Sequence, residues 1–202
     1  FKGSSIAECV NYGMVEAAVN TNNKLTGAGG MLGQAQNAVS LTNNSNYGEV
    51  KGSNTNAAAQ IYVGGIVATD GESLEHTGAT TVTGNANYGI VTLSAETPSV
   101  ANGLVNTVTG AAAGGIFGLI VNSIMPTAEA DYNVNYGIVI AEKGKVEGAA
   151  GALAGASSIA SWTAKVGKGT IVNGIPWSEE VSDSWLCPSA VNPLSAIYVD
   201  RP

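Results

Sequence analysis

The chain has 202 residues, room for one sizeable folded unit or a short repeat array. Charged residues make up only 11% of it and hydrophobic ones 45%, the reverse of the charged, weakly hydrophobic composition that keeps a chain disordered. A net charge of −7 with no basic stripe argues against binding nucleic acid or an anionic membrane surface through a polybasic patch.

The chain opens at Phe1 with neither Met nor a basic-then-apolar leader, which reads as a trimmed start or a fragment. Its two cysteines, Cys9 and Cys187, sit near opposite ends and form neither a metal-ligand spacing nor a CxxC pair. An elongated stack would keep them too far apart to bridge. The first recurring signature follows directly: Asn11-Tyr12-Gly13-Met14-Val15. It returns as Asn46-Tyr47-Gly48-Glu49-Val50, Asn87-Tyr88-Gly89-Ile90-Val91 and Asn135-Tyr136-Gly137-Ile138-Val139, at intervals of 35, 41 and 48 residues. A degenerate fifth copy is read at Lys168-Gly169-Thr170-Ile171.

A second motif alternates with the first. Gly29-Gly30-Met31-Leu32-Gly33, Gly64-Gly65-Ile66-Val67 and Gly114-Gly115-Ile116-Phe117-Gly118 each follow one copy of Asn-Tyr-Gly, and a worn version, Gly151-Ala152-Leu153-Ala154-Gly155, follows the fourth. Gly and Asn tolerate the backbone of sharp turns, and paired Gly beside apolar residues suits a place where two backbones pass closely. Val two residues past the Gly begins an alternation with the period of a strand. Equivalent turns would stack about 4.8 Å apart, so the site to examine is a structural ladder of Asn11, Tyr12, Gly13, Asn46, Tyr47, Gly48, Asn87, Tyr88, Gly89, Asn135, Tyr136 and Gly137.

The unequal intervals place insertions in Lys51 to Gln60, Asp70 to Gly78 and Glu96 to Gly110, read as loops on a fixed strand framework. The longest apolar run, Ala111 to Met125, is broken by Gly114, Gly115, Gly118 and Asn122 and is too short to span a membrane, so no membrane insertion is expected. Gly144 to Ser161 is Ala-rich, but Gly148, Gly151 and Gly155 weaken a helix, and a worn repeat is preferred there. From Ile175 the repeat stops and Pro176, Trp177, Trp185, Cys187, Pro188 and Pro193 appear, consistent with a cap over an open strand edge or the start of a following segment.

The alternation of Gly-Gly-Ile/Met-x-Gly with Asn-Tyr-Gly-x-Val, over roughly Ile6 to Ile171, resembles the GLUG-type repeats of large bacterial surface proteins, among them adhesin-like proteins and some secreted peptidases. The resemblance implies an exported or cell-surface location and a β-rich, solenoid-like support role. Two copies depart from the pattern: Ala68 stands at a closing Gly, and Ala152 replaces a Gly.

A polysaccharide-cleaving β-helix needs converging carboxylates; the best cluster is Asp70, Glu72, Glu75 and His76, read as an ordinary solvated loop, with Glu129 and Asp131, then Glu179, Glu180 and Asp183, behind it. A serine triad would have to use His76, the single histidine, and no serine sits in a nucleophile elbow. No calcium-loop signature is present. Thr81 with Thr83, and Thr107 with Thr109, resemble an ice-binding array but keep no fixed offset from Asn-Tyr-Gly, and read as β propensity. The four Tyr could form a sugar platform, but the preferred reading is a buried or semi-buried ladder holding register. Trp162, Trp177 and Trp185 are assigned to capping, and Asn43-Asn44-Ser45 is a glycosylation sequon relevant only in a eukaryote.

The sequence therefore predicts an all-β fold, a β-solenoid resembling a parallel β-helix, with four to five units over residues 1–174 and a cap or following segment over 175–202. The expected role is a structural or adhesive extracellular module at the cell surface, with no catalytic residue, metal or cofactor. Expected partners are neighbouring domains of a larger protein or host and cell-surface ligands, with self-association possible. A polysaccharide-active enzyme and a filament subunit are the alternatives.

Overall fold

In Val50–Asn54 and in Val91–Ala95 every second residue is fully buried while those between are partly exposed, the period-two pattern of a strand with one face in a core. The computed structural model describes residues 3–21, 25–35, 38–56, 58–70, 80–96, 110–121, 123–124, 128–142, 150–157, 165–166, 171–172 and 175–176. Over these residues the chain is all-β with parallel sheets, apart from one 3-10 turn at Glu129–Asp131.

The chain makes successive passes of five short strands. The first consists of β1 (Ser5–Ala7), β2 (Val10–Asn11), β3 (Val15–Val19), β4 (Leu25–Gly29) and β5 (Leu32–Gln34). The second consists of β6 (Ser40–Thr42), β7 (Ser45–Asn46), β8 (Val50–Asn54), β9 (Gln60–Gly64) and β10 (Val67–Thr69). The third consists of β11 (Thr80–Thr83), β12 (Ala86–Asn87), β13 (Val91–Ala95), β14 (Ala111–Gly114) and β15 (Phe117–Ile120). The fourth consists of β16 (Ser123–Ile124), β17 (Val134–Asn135), β18 (Ile138–Glu142), β19 (Ala150–Gly151) and β20 (Ala154–Ser157). A partial fifth has β21 (Lys165–Val166), β22 (Ile171–Val172) and β23 (Ile175–Pro176).

Each strand pairs in parallel with its counterpart one pass on, which yields five sheets numbered here in the order the chain visits them: β1-β6-β11-β16, β2-β7-β12-β17-β21, β3-β8-β13-β18-β22, β4-β9-β14-β19 and β5-β10-β15-β20. β23 joins the edge of the third sheet antiparallel to β22. Register is strict where the motifs recur: Asn11, Asn46, Asn87 and Asn135 are successive partners, as are Gly29, Gly64, Gly114 and Gly151.

The two departures from the Gly-Gly motif leave this register intact. Val67 pairs with Leu32 and with Phe117, which aligns Ala68 with Gly33 and Gly118. Gly114 pairs with Gly151 and Phe117 with Ala154, which aligns Ala152 with Gly115. The fifth copy is corrected by one residue. Val139 pairs with Val172 and Ile138 with Ile171, so Val172, not Ile171, occupies the Val position. Val166 takes the place of the ladder Asn, and the four residues between it and Ile171 exceed the two between Asn135 and Ile138.

The layers follow from which side chains meet. The third and fourth sheets enclose one core, including Val50, Val91, Leu93 and Val139 against Ile61, Val63, Ala111 and Ala113. The first and fifth sheets enclose another, including Leu41 and Val82 against Leu32, Val67 and Phe117. Between them the fourth and fifth sheets lie back to back, with Tyr62 and Ala112 on one meeting Leu119 on the other. The chain thus folds a two-sheet tongue between the first and third sheets, and the second sheet joins those two at a corner. The tongue turns at the Gly-Gly pairs, where its two backbones nearly touch. A Cβ on Gly64 would strike the Val67 carbonyl, and one on Gly114 the Phe117 carbonyl.

The insertion expected from Lys51 to Gln60 is shorter in the structure, because Lys51–Asn54 belongs to β8 and Gln60 opens β9. Polar Lys51 and Ser53 face outward while Val50, Gly52 and Asn54 face in, so a polar segment is still a strand. Residues 71–79, 97–109 and 177–202, with Thr107, Thr109, Trp177, Trp185, Cys187, Glu179, Glu180 and Asp183 among them, lie outside the described residues, as do Trp162 and Lys168.

Candidate functional site

The second sheet contributes only two residues per pass, yet it concentrates the polar chemistry of the molecule. Asn11 donates from Nδ2 to Asn46 Oδ1 at 2.8 Å, Asn46 to Asn87 at 2.8 Å, and Asn87 to Asn135 at 2.8 Å. Each of these amides also donates to the carbonyl two residues on: Gly13 at 2.8 Å, Gly48 at 2.9 Å, Gly89 at 3.0 Å and Gly137 at 3.0 Å. One side chain thereby links two passes and closes its own turn. Asn46, Asn87 and Asn135 are fully buried, where an unmet amide would be costly.

Their inner faces rest on the tip of the tongue. A Cβ on Gly30 would collide with the Asn46 amide, one on Gly65 with Asn87 and one on Gly115 with Asn135. The Asn ladder and the Gly-Gly pairs are therefore two halves of one contact. The Gly of the motif is constrained as well: a Cβ on Gly89 would meet the Gly48 carbonyl.

A second ladder, not anticipated from the sequence, runs two residues ahead of the first. Asn44 Nδ2 donates to Asn85 Oδ1 at 2.9 Å, and Asn85 Nδ2 to Asn133 Oδ1 at 2.9 Å. The same amides hold the preceding pass through the carbonyls of Ile6, Leu41 and Val82. In the first pass Cys9 occupies the position, and its backbone N–H donates to Asn44 Oδ1 at 3.0 Å. The motif is thus Asn-x-Asn-Tyr-Gly-x-Val in three of its four copies, a signal present in the sequence. The bend before this ladder uses left-handed backbone: Glu8, Asn43 and Gly84 have φ of 54°, 56° and 66°. Asn43, the sequon residue, is exposed there.

On the outer side the tyrosines stack ring on ring. Tyr12 and Tyr47 have centroids 5.3 Å apart and planes 15° apart, Tyr47 and Tyr88 4.6 Å and 3°, and Tyr88 and Tyr136 5.0 Å and 4°. The row is not fully buried. Tyr12 is 77% exposed and Tyr47, Tyr88 and Tyr136 are 47%, 42% and 40% exposed, because neighbouring residues in a strand point to opposite faces and Asn has taken the interior. Nor is the row a sugar platform along its length, since each inner ring has both faces covered by its neighbours; only edges and hydroxyls are presented. Partial burial, and after it the phenols of Tyr47 and Tyr136, push the Tyr88 hydroxyl above its ordinary value.

The carboxylate cluster also reads differently. Asp70 is buried at the end of the fifth-sheet strand β10 and accepts a hydrogen bond from the Val121 N–H, so it closes the framework instead of sitting in a solvent loop. Glu72, Glu75 and His76 lie outside the described residues. Asp131 is exposed, and its carbonyl accepts from Gly84 N–H at 2.8 Å. Thr81 and Thr83 are partly exposed on β11, while Thr80, which opens that strand, is buried. Among the described residues no three of His, Cys, Asp and Glu converge on a common point, and no helix is long and apolar enough to cross a membrane.

Compared with known proteins, the chain matches no family model, no curated protein and no solved structure.

Proposed function

We propose that the chain is a β-solenoid, a parallel β-helix-like array of four to five diverged GLUG-type repeats, serving as a structural or adhesive module of an extracellular surface protein. The tail from 175 onward is assigned to a cap or a following segment. The observation that carries this reading is the pair of buried Asn ladders. Their amides bridge residues 35, 41 and 48 apart, the same intervals at which Asn-Tyr-Gly recurs. Buried polar groups that are fully met by one another rigidify a structure and specify its register. Here they do so at a position that adds nothing to a solvent-facing catalytic surface. The role this favours is a stiff spacer that displays loops to neighbouring domains or to host and cell-surface ligands. Asp70, the described member of the best carboxylate cluster, accepts from the Val121 N–H, which weighs against the polysaccharide-cleaving alternative.

A stiff repeat module resists extension and yields one pass at a time. Pulling the full chain from its two ends in an optical trap should give discrete steps of about 120–160 Å, the extended length of one repeat interval. Smooth entropic extension without steps would sink the spacer role. The display half is tested by screening the folded chain on glycan and cell-surface protein arrays.

A further inference from the structure

The tyrosine row holds four phenols in a geometry that neither the framework nor the display role requires. The Asn amides and the backbone already fix the register, and the rings stand outside them. Their centroids are 4.6 to 5.3 Å apart, their planes lie within 3° to 15° of parallel, and each ring is at least 40% exposed. Proximity, alignment and access to a solution oxidant therefore coincide.

We propose that the Tyr12-Tyr47-Tyr88-Tyr136 row is an oxidative cross-linking site, at which a peroxidase using hydrogen peroxide joins tyrosines of adjacent passes through dityrosine bonds. Each phenol gives up one electron and one proton to become a phenoxyl radical, with spin density on the ring carbons ortho to oxygen. Two such radicals form a carbon–carbon bond between ortho carbons, and the two ring hydrogens move to the oxygens as the phenols are restored. The two electrons and two protons released convert one hydrogen peroxide to two waters. Holding the partners side by side replaces a bimolecular encounter with a pivot of two half-exposed rings. Tyr47 and Tyr88, the closest and most nearly parallel pair, couple first. Tyr62 takes no part, because it is fully buried in the tongue. The product is a covalent staple across passes that hydrogen bonds, apolar packing and ring stacking otherwise hold together.

The test is peroxidase and hydrogen peroxide added to the dilute full-length chain, followed by tryptic mass mapping and dityrosine fluorescence. Lys24 separates Tyr12 from Tyr47 and Lys51 separates Tyr47 from Tyr88, so either bond appears as two peptides joined with the loss of two hydrogens. The folded chain should form intrachain product at least about tenfold faster than the urea-unfolded chain. The double variant Tyr47→Phe/Tyr136→Phe keeps the ring stack but leaves Tyr12 and Tyr88 without an adjacent phenol. It should lose at least about nine-tenths of the intrachain product with an unchanged circular dichroism spectrum. Equal rates in the folded and unfolded chains, bonds that only join separate molecules, or product surviving in the double variant through Tyr132 or Tyr198 would each overturn the assignment.

Discussion

At the corner, the second sheet is held by side chains: amides that donate both along the array and back to their own turn. Where the fourth sheet turns into the fifth, at the tip of the tongue, the packing depends on the absence of side chains, with glycines letting two backbones approach until a single Cβ would collide. The two regions meet, since Gly30, Gly65 and Gly115 at the tongue tip abut Asn46, Asn87 and Asn135. They should nevertheless fail differently. A directional contact loses a countable number of hydrogen bonds when one residue is removed, whereas a steric contact tolerates no addition at all. Substitution in each region can separate the two.

The largest effect is expected in the tongue. Gly114→Ala places a methyl against the Phe117 carbonyl and the backbone of Ala154 and Gly155, none of which is the free end of a side chain. Because the strands on both sides are fully buried, relief requires moving a whole sheet, and a loss of roughly 4 kcal/mol or more is expected. Urea unfolding followed by circular dichroism measures it. A loss below about 1 kcal/mol would show that the tongue is looser than the steric argument demands.

The corner comes next. Asn87→Ala strands the Asn46 Nδ2, the Asn135 Oδ1 and the Gly89 carbonyl, each of which it now meets. Some of these groups keep a second partner, so the expected cost is about 3 kcal/mol rather than the full sum of three orphaned groups. Asn11→Ala removes a half-buried member at the end of the row and should cost only about 1 kcal/mol. Equal costs for Asn87→Ala and Asn11→Ala would mean that burial does not set the worth of the ladder.

These contrasts also mark what could be read without coordinates. The spacing of Asn-Tyr-Gly correctly points to residues that become partners, because a parallel array converts a sequence interval directly into a hydrogen bond. The second Asn row was equally visible at Asn44, Asn85 and Asn133, but Cys9 breaks it in the first copy and hid the pattern. Which way a ladder residue faces was harder. Asn and Tyr are adjacent, one must point in and the other out, and hydrophobicity alone favours burying the ring. The interior took Asn, whose amide both bridges to the next pass and closes its own turn. Nor did Gly-Gly reveal that the strands flanking it fold back on each other, since a close backbone approach is compatible with either a bend or a crossing. Asp70 looked like a loop residue because its partner, the Val121 N–H, is remote in sequence.

Within the tongue, Tyr62 offers a smaller and opposite effect. Tyr62 is buried with Ala112, Leu119 and Val121, its hydroxyl has no hydrogen-bond partner among the described residues, and burial pushes its pKa up. Tyr62→Phe removes an unmet polar atom while keeping the ring, and should stabilise the fold by about 1 kcal/mol at neutral pH. The folded state holds this proton more tightly than the unfolded chain does. The stability linked to it is therefore complete below pH about 10 and lost as pH rises further. The variant should accordingly resist alkaline unfolding to higher pH than the parent, as a pH titration of the melting temperature would reveal. An identical alkaline limb in both proteins would place the titration elsewhere.

The smallest effect separates the bend of the corner from its ladder. Thr42 pairs with Ala7 and with Thr83, which puts Glu8, Asn43 and Gly84 at equivalent positions, all with positive φ. Asn and Gly suit that backbone, whereas Glu8 bears a Cβ strain of about 1–2 kcal/mol there. Replacing it with Gly relieves the strain but gives the unfolded chain more freedom, a cost of about 0.5–1 kcal/mol. The Glu8 side chain is exposed and its N–H donates to the Thr42 carbonyl at 3.0 Å, a bond that Gly retains. Relief outweighs entropy, so Glu8→Gly should stabilise by roughly 0.5 kcal/mol, whereas Glu8→Ala keeps the strain and should gain nothing. If Glu8→Gly instead lowers the urea midpoint, the left-handed bend is set by the strands around it and not by the residue that occupies it.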